Sequence, residues 1–507
     1  MSSKDVPPNL GDIQKDLKDF FQHKYGANVA FAQAEQEGAP AGPETEDEEP
    51  MDFRFEMRPE ELEAYLDEYV IRQGEAKEIL ATKICTHFNR IRLDDEDDSV
   101  GNIKNNIIMI GATGVGKTYL IKLIAKKLGV PFVKGDATKF SETGYVGGDV
   151  DDLVRSLVNE ADGNIELAQY GIIYIDEIDK IAASGTVVGP DVSRTGVQRT
   201  LLKLMEETEV DLQAPHDLTS QMENALQFQR TGKIQKKKVN TRNILFIVSG
   251  AFQNLEDIIN RRMNQQQIGF ITADEPVEID DSEEPAWLKH VKSEDLIQYG
   301  FESEFVGRLP VIAPLHPLNA DDLYHILKNP NSTVVQAKKR DFRAYDITVE
   351  FDDDALELIA QRAFEEKTGA RGLVGVCEKV LIKYEKKLPS TSISEFRVTR
   401  EVVEHPEESL SVLLTQAAIA RFEARFKEEY NLKLNLEPEA RDALLKNASE
   451  QGVAADELGM EMFKDYSHGL KLLQRSELTV SREAVENPSE YLNKLIKESY
   501  GQEEQGD

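Results

Sequence analysis

Residues 111–118 read Gly111-Ala112-Thr113-Gly114-Val115-Gly116-Lys117-Thr118, between an apolar run from Ile107 to Ile110 and a helical pattern from Tyr119 to Leu128. This context makes the GxxxxGK[ST] match specific. The glycines let the backbone wrap around a phosphate chain, and the N–H groups and the helix N-terminus face its negative charge. Lys117 can reach the β- and γ-phosphates, and the Thr118 hydroxyl can hold Mg²⁺. The stretch predicts a binding site for a nucleoside triphosphate.

Composition limits the other functions open to the chain. Its 507 residues are enough for two or three domains, and a formal net charge of −33 argues against a surface that holds nucleic acid or an anionic membrane. With two cysteines, Cys85 and Cys377, neither a disulfide framework nor a thiolate zinc site is expected. The start lacks a signal-peptide pattern, and no apolar run approaches the roughly 18 residues of a membrane span. We therefore expect a cytoplasmic protein with no nucleic-acid or membrane partner.

The first 50 residues have the composition of an appendage. Residues 9–35 can form an amphipathic helix, and residues 36–50 combine proline, glycine and carboxylates, as flexible acidic linkers do. The segment either docks a partner or forms a weakly ordered tail.

Apolar runs typical of buried strands recur between helical patterns, at residues 107–110, 130–133, 171–175 and 243–248. This alternation predicts an α/β fold in which a parallel sheet has helices on both faces. Ligands of such sheets bind at the carboxyl ends of the strands.

The run at 171–175 ends in a carboxylate pair, Asp176-Glu177. Asp176 can hold Mg²⁺ through water, and Glu177 can orient and deprotonate an attacking water. The alternative is a surface pair that caps the next helix. The catalytic interpretation is favoured because an apolar strand delivers both carboxylates about sixty residues after the phosphate-binding loop.

Several motifs occur together in a fixed order. They are YVIRQ (69–73), GATGVGKT (111–118), GYVG (144–147), IIYIDEIDK (172–180), GVQRTLLKLMEET (196–208), ILFIVSGAF (244–252), EFVGRLP (304–310) and KTGARGL (367–373). Together these motifs resemble those of the ClpX family of AAA+ unfoldases. The resemblance covers about residues 58–395. It implies an AAA+ large domain over 51–316 and a small α+β, mainly helical domain over 317–403.

The resemblance also implies roles at the nucleotide, with ATP and Mg²⁺ as the ligands. Gly111, Thr113, Gly114, Val115 and Gly116 would cradle phosphate, and Thr118 and Asp176 would hold the metal. Val70 and Ile71 would flank the adenine, and Lys117 would bind phosphate. Asp176 and Glu177 would form the Walker B pair, with Ser249 as sensor 1. Arg308 would be an arginine finger offered to a neighbouring subunit, and Arg371 would be sensor 2. Arginine suits the roles of arginine finger and sensor 2 because its charge is fixed and its planar guanidinium matches the geometry of phosphate oxygens.

Two further motifs would contact other polypeptides. Tyr145 and Val146 of GYVG resemble a pore loop that grips substrate, with residues 187–196 at the second pore-loop position. Ile268-Gly269-Phe270 resembles the IGF loop that docks on a ClpP-type peptidase, and it discriminates against the related HslU, which lacks this loop. The resemblance thus implies a homo-hexamer whose partners are a ClpP-type peptidase and unfolded or tagged protein substrates.

The chain departs from the family in three places. It lacks the four-cysteine zinc-binding domain at the N-terminus, Arg72 replaces the glycine of the YVIGQ motif, and the RKH signature of the pore entrance is missing. The region of that signature contains Lys233-Ile234-Gln235-Lys236-Lys237-Lys238. These lysines either line the entrance or end a solvated strand, so the substrate preference stays open.

The last part of the chain resembles the small domain before it. Residues 347–373 align with 432–458 at a constant offset of 85, and residues 396–410 align with 478–492. Apolar positions match while surface positions diverge, which predicts a duplicated fold over 404–507; convergent helix–strand patterning is the alternative. In this alignment Asp456 of the copy corresponds to Arg371 of the small domain, and a carboxylate at that position would repel a γ-phosphate. We expect a copy that binds no nucleotide and is kept for contacts with a partner.

These observations favour an ATP-dependent unfoldase that pulls polypeptide through a ring pore and delivers it to a ClpP-type peptidase, without being a peptidase itself. The first alternative is a remodelling chaperone that works without a peptidase. The second is a nucleotide-dependent scaffold that does not hydrolyse ATP, against which Lys117, Glu177, Arg308 and Arg371 argue.

Overall fold

The computed structural model describes residues 55–93, 104–141, 148–183, 192–212, 237–267 and 286–503. All of them belong to one unit, Phe53–Asp507. The described strands are β1 Ile107–Ile110, β2 Phe132–Asp136, β3 Ile172–Asp176, β4 Glu209–Asp211, β5 Lys238–Asn240, β6 Leu245–Gly250, β7 Val311–Pro314, β8 Thr348–Phe351, β9 Glu395–Val398, β10 Lys433–Leu436 and β11 Glu477–Val480.

The helices follow from chain segments with apolar residues at helical spacing. Those of residues 55–316 are α1 Pro59–Tyr69, α2 Gly74–Leu93, α3 Lys117–Leu128, α4 Asp152–Glu160, α5 Ile165–Gln169, α6 Val192–Met205, α7 Leu255–Gln267, α8 Ser293–Tyr299 and α9 Ser303–Gly307. Those of the remainder are α10 Ala320–Lys328, α11 Thr333–Arg343, α12 Asp353–Glu365, α13 Ala370–Lys387, α14 Arg400–Glu404, α15 Pro406–Tyr430, α16 Pro438–Gln451, α17 Ala455–Met462, α18 Tyr466–Leu472, α19 Arg482–Glu486 and α20 Pro488–Glu503.

Five parallel strands in the order β2–β3–β6–β1–β7 form the main sheet. Successive side chains of a strand point to opposite faces. Accordingly, Ile108 and Ile110 pack into one core, and Ile107 and Met109 pack into another. Helices therefore cover both faces of the sheet, and the predicted α/β fold with a parallel sheet is confirmed.

Two features of the sheet differ from the sequence-based expectation. The run predicted at 130–133 forms a strand only from Phe132, and the strand extends to Asp136 because it pairs with β3 from Ile172 to Asp176. Strand β7 was not predicted at all. Pro310 precedes it and Pro314 is its last residue, and prolines weaken a strand signal although an edge strand tolerates them.

A third core lies beyond the sheet and begins with Leu318, whereas Leu315 still belongs to the core on one face of the sheet. Helices α10–α14 pack around the parallel pair β8–β9 in this small domain. The predicted domain bounds stay predictions, with one change that the packing favours. The bound at 403/404 falls before α15, and Leu410 of α15 still packs into this third core.

The copy repeats the strand pair of the small domain, although two helices, α17 and α18, stand at the positions that correspond to the single helix α13. Strands β10 and β11 pair in parallel with Lys433 opposite Glu477, as β8 and β9 pair with Thr348 opposite Glu395. A hydrogen bond is also repeated. The Tyr384 hydroxyl donates to the carbonyl of Pro406 at 2.9 Å, and the Tyr466 hydroxyl donates to that of Pro488 at 2.8 Å.

Helix α15 joins the two copies without a break. Its first half contributes Leu410 to the third core, and its second half contributes Phe422 and Phe426 to a fourth core, which belongs to the copy. The single helix therefore serves as the last helix of one domain and the first of the next.

Within the part of the chain that the structure describes, no helix is long and apolar enough to cross a bilayer.

Candidate nucleotide-binding site

The phosphate-binding loop connects β1 to α3 in a conformation that requires glycine. Gly114 and Gly116 have φ values of 82° and 98°, in the left-handed region that side chains disfavour. A Cβ atom on Gly114 would also lie 2.1 Å from the carbonyl oxygen of Thr368. Because both the turn and the close approach exclude a side chain, the loop presents its backbone to the cavity in front of α3.

Lys117 is the first residue of α3, and its ammonium lies inside the loop. It donates to the carbonyl oxygens of Gly111 at 2.7 Å and Ala112 at 2.9 Å. Burial lowers the pKa of Lys117, although the nearby carboxylates of Asp176 and Asp179 oppose this. The charge is thus held where the loop would surround a phosphate chain.

A polar network joins the end of β3 to β6 and α3. The Ser249 hydroxyl donates to Asp176 Oδ1 at 2.8 Å and lies 2.7 Å from the Tyr174 hydroxyl, and Thr118 Oγ1 donates to Asp176 Oδ2 at 3.3 Å. Burial tends to raise the pKa of Asp176, but hydrogen bonds from Lys134 and Ser249 outweigh it and lower this pKa. Asp176 is therefore held as a carboxylate beside the Thr118 hydroxyl.

These two groups fit the metal that the motif implies. Mg²⁺ prefers oxygen ligands, keeps several waters and takes few protein groups when it binds with nucleotide phosphates. The Thr118 hydroxyl and the Asp176 carboxylate supply such oxygens at the carboxyl end of a strand. Among the described residues, no group of three or more His, Cys, Asp or Glu side chains forms a metal cluster, so an all-protein cage is not what this site offers.

Glu177 follows β3 in the left-handed region, with φ 58° and ψ 33°. This sharp turn ends the strand and starts the 3₁₀ turn Ile178–Ile181. The Glu177 side chain lines the same cavity as Lys117 and Asp176. A non-glycine residue in this conformation costs of order 1 kcal/mol, and such strain is characteristic of functional sites.

One cavity of about 390 Å³ brings most of the predicted nucleotide residues together. Val70 and Ile71 form one wall, and residues 113–118 form another. The third wall belongs to the small domain and includes Ser332, Ala370 and Arg371. The roles of these residues remain predictions, but the structure places them around one space. Beyond Val374, no described residue lines this cavity, so the copy contributes none of its described residues to it.

The small domain contacts the phosphate-binding loop directly. The amide of Ala370 donates to the carbonyl of Gly114 at 2.9 Å, at the start of α13. Arg371 is the second residue of this helix. Because α13 rests on the loop, a change in loop conformation reaches the small domain without an intermediate element.

Arg308 lies elsewhere. Its guanidinium is half exposed, forms an ion pair with Glu206 at 2.6 Å, and lines a separate cavity of about 270 Å³ together with Lys104 and Arg242. The structure therefore does not bring Arg308 to the nucleotide cavity of its own chain. This placement agrees with a group that would act on a neighbouring subunit.

Sequence reasoning missed two contacts of the site. Lys134 of β2 donates to Asp176 Oδ2 at 2.8 Å, a contact that depends on β2 lying beside β3. Arg72, at the family's glycine position, does adopt a left-handed conformation with φ 61°, and its guanidinium pairs with Asp322 at 2.6 Å. Since Asp322 belongs to α10, this ion pair ties the loop beside the predicted adenine position to the small domain. The strand pattern around Lys134 gave no signal for its contact, whereas the replaced glycine marked Arg72.

Several predictions concern residues outside the described part of the chain. Among the site residues these are the pore-loop residues Tyr145 and Val146 and the peptidase-docking residues Ile268, Gly269 and Phe270. The N-terminal segment 1–50, residues 187–191 of the second pore-loop position and the lysine-containing stretch 233–236 also lie outside it.

The fold and the cavity define a class. A parallel sheet with a phosphate-binding loop, a strand-end carboxylate pair and a small domain resting on that loop is an AAA+ ATPase. The family described as "AAA domain (Cdc48 subfamily)" matches residues 102–312, and the one described as "C-terminal, D2-small domain, of ClpB protein" matches residues 318–384.

Individual proteins are similar over a longer range. The "ATP-dependent Clp protease ATP-binding subunit ClpX" of Bacteroides thetaiotaomicron is 37% identical over 364 residues, which are 71% of this chain and 84% of that protein. Proteins with the same name from two strains of Bacteroides fragilis are 36% identical over 386 residues, 76% of this chain and 89% of theirs. The chain belongs to the ClpX family of AAA+ proteins.

Proposed function

We propose that this chain is an ATP-driven protein unfoldase, which assembles as a homo-hexamer and delivers polypeptide to a ClpP-type peptidase. One observation carries the mechanical part of the proposal. The nucleotide cavity is closed by two domains, and Ala370 of the small domain is hydrogen-bonded to Gly114 of the phosphate-binding loop. Binding and release of a phosphate chain at this loop would therefore change how the two domains are held.

The residues of the cavity fit ATP hydrolysis. Lys117 would exchange its carbonyl acceptors for β- and γ-phosphate oxygens, and Thr118 and Asp176 would hold Mg²⁺. The metal, when bound, neutralises charge on the phosphates. Glu177 would accept a proton from the attacking water while the water oxygen forms a bond to the γ-phosphorus. The bond between the γ-phosphorus and the bridging oxygen breaks at the same time, which yields ADP and phosphate.

The names of the relatives support the partnership with a peptidase. They are described as ATP-binding subunits of the ATP-dependent Clp protease. The tripeptide Ile268-Gly269-Phe270 supports the same partnership in this chain, since it places two large apolar residues in a polar stretch. A ring is supported by Arg308, because it lies away from the cavity of its own chain.

The grip on substrate is tested by Tyr145→Ala. An aromatic side chain gives sequence-independent contact area, and Tyr145 belongs to no nucleotide-binding motif. ATP turnover should therefore persist within about twofold of the parent, while unfolding of a tagged fluorescent protein should fall by at least about tenfold, as expected for the loss of one such contact per subunit. Tyr345→Ala is the matched control, because this exposed tyrosine lies in the small domain. Unfolding at the parent rate would contradict the pore assignment.

Docking on the peptidase is tested by Phe270→Ala. Burying one such ring in a partner's pocket contributes roughly 1.5–3 kcal/mol, and identical loops on one ring reinforce each other because each further contact is intramolecular. Degradation with a ClpP-type peptidase should be lost, whereas ATP turnover and unfolding should be retained. Phe364→Ala, at an exposed phenylalanine of α12, should leave degradation unchanged. If Phe270→Ala leaves degradation unchanged, the docking assignment of this loop is wrong. A parent protein that unfolds substrate but supports no degradation would favour a chaperone without a peptidase.

A further inference from the structure

Lys134 lies at the position that the predicted metal ligands define. It stands on β2, and the parallel register sets it opposite Tyr174 of β3. Its ammonium is 2.8 Å from Asp176 Oδ2 and 3.4 Å from Thr118 Oγ1. The Asp176 and Thr118 oxygens are themselves 3.3 Å apart, so one positive charge contacts both groups that would hold Mg²⁺.

The ammonium and a divalent cation cannot occupy this position together. Mg²⁺ would take the Thr118 oxygen at about 2.0–2.1 Å and reach Asp176 through a bound water, so the metal and its water would fill the space in which Lys134 Nζ contacts these two oxygens. The Lys134 side chain is 38% exposed, so it can leave toward solvent when a metal arrives. The Asp176 side chain is only 15% exposed and stays in its network with Ser249.

We propose that Lys134 is a resident cation at the magnesium position. It holds Asp176 and Thr118 in place before the metal binds, competes with Mg²⁺, and supplies positive charge to nucleotide phosphates when no metal is present. The inference rests on the proposed nucleotide site and adds to it a reduced metal requirement for nucleotide binding.

The decisive measurement is binding of a fluorescent ADP analogue by anisotropy, in EDTA and across a Mg²⁺ titration. In EDTA, Lys134→Met should bind the analogue at least about tenfold more weakly than the parent, because the positive charge beside Asp176 and Thr118 is lost while the apolar stem is kept. At saturating Mg²⁺ the two proteins should bind alike. The Mg²⁺ concentration at half-maximal binding should be lower in Lys134→Met, because its competitor is gone.

Three controls separate the possible outcomes. Lys134→Arg keeps the charge and should retain binding in EDTA. Lys139→Met removes the same charge from a nearby exposed site and should behave as the parent. Lys117→Ala should weaken binding with and without Mg²⁺, since Lys117 belongs to the proposed site itself.

Two results would overturn the assignment of Lys134: a Lys134→Met protein with parent behaviour in EDTA, or equal losses in the Met and Arg variants. If the parent binds no analogue under any condition, or if Lys117→Ala binds as the parent does, the nucleotide site itself is refuted.

Discussion

ATP turnover by the Glu177→Gln protein is expected to fall by roughly 10²–10⁴-fold, the usual contribution of a general base. Glutamine keeps the size of the side chain but cannot accept the proton of the attacking water. Nucleotide binding should remain, because Lys117, Thr118 and Asp176 are untouched. Phosphate release and nucleotide binding are measured on the same preparation.

Lys117→Ala provides the contrast for this experiment. It should weaken nucleotide binding, whereas Glu177→Gln should not. Turnover near the parent value in Glu177→Gln would exclude Glu177 as the base. The proposed pairing of Asp176 with a catalytic base at the next residue would then be wrong as well. A parent protein that binds ATP without turnover would instead favour a nucleotide-dependent scaffold.

Arg308→Ala is expected to lower ATP turnover by a factor of about 10³–10⁵, the range found for arginine fingers. The loss should not come from instability, since the Arg308–Glu206 pair is about half exposed and such surface pairs contribute little to stability. Arg400→Ala is a matched control, because it removes an arginine from an exposed Arg–Glu pair in the small domain.

Mixed assemblies test whether Arg308 acts on a neighbouring subunit. Arg308→Ala subunits carry an intact Glu177, and Glu177→Gln subunits carry an intact Arg308. Where the two kinds of subunit alternate in a ring, the nucleotide cavity of an Arg308→Ala subunit, with its intact Glu177, would face the intact Arg308 of a Glu177→Gln subunit. Mixing two nearly inactive proteins should therefore restore part of the turnover. If no mixture exceeds the sum of its components, an action in trans is excluded.

Local patterns were sufficient for the parts of the site that follow one another in the chain. The glycines of 111–118 specify a turn that only glycine adopts, and the apolar run at 171–175 specifies a buried strand that ends in Asp176. Both depend on neighbouring residues, and both are found in the structure. The predicted sheet with helices on two faces followed from the same patterns.

Contacts across the sheet could not be predicted in this way. The Lys134–Asp176 contact requires β2 to lie beside β3 in one particular register. A local sequence pattern specifies neither the order of strands in a sheet nor their register. The bounds of β2, Phe132–Asp136, depend on its pairing with β3 and so differ from the predicted 130–133, and β7 was obscured by its prolines. The bound at 403/404 stays a prediction. It falls before α15, whose Leu410 still packs into the third core, and after Pro406 no glycine or proline in that helix marks the change of core.

The continuity of α15 has a mechanical meaning. A helix of 25 residues is about 37 Å long, at 1.5 Å per residue, and it resists bending. One half is fixed in the small domain that rests on the phosphate-binding loop, and the other half is fixed in the copy. The helix is therefore a stiff arm: a rotation of the small domain by about ten degrees would carry its far end through about 6 Å. A partner held by the copy would be displaced by each such rotation, although the copy lines no part of the described nucleotide cavity.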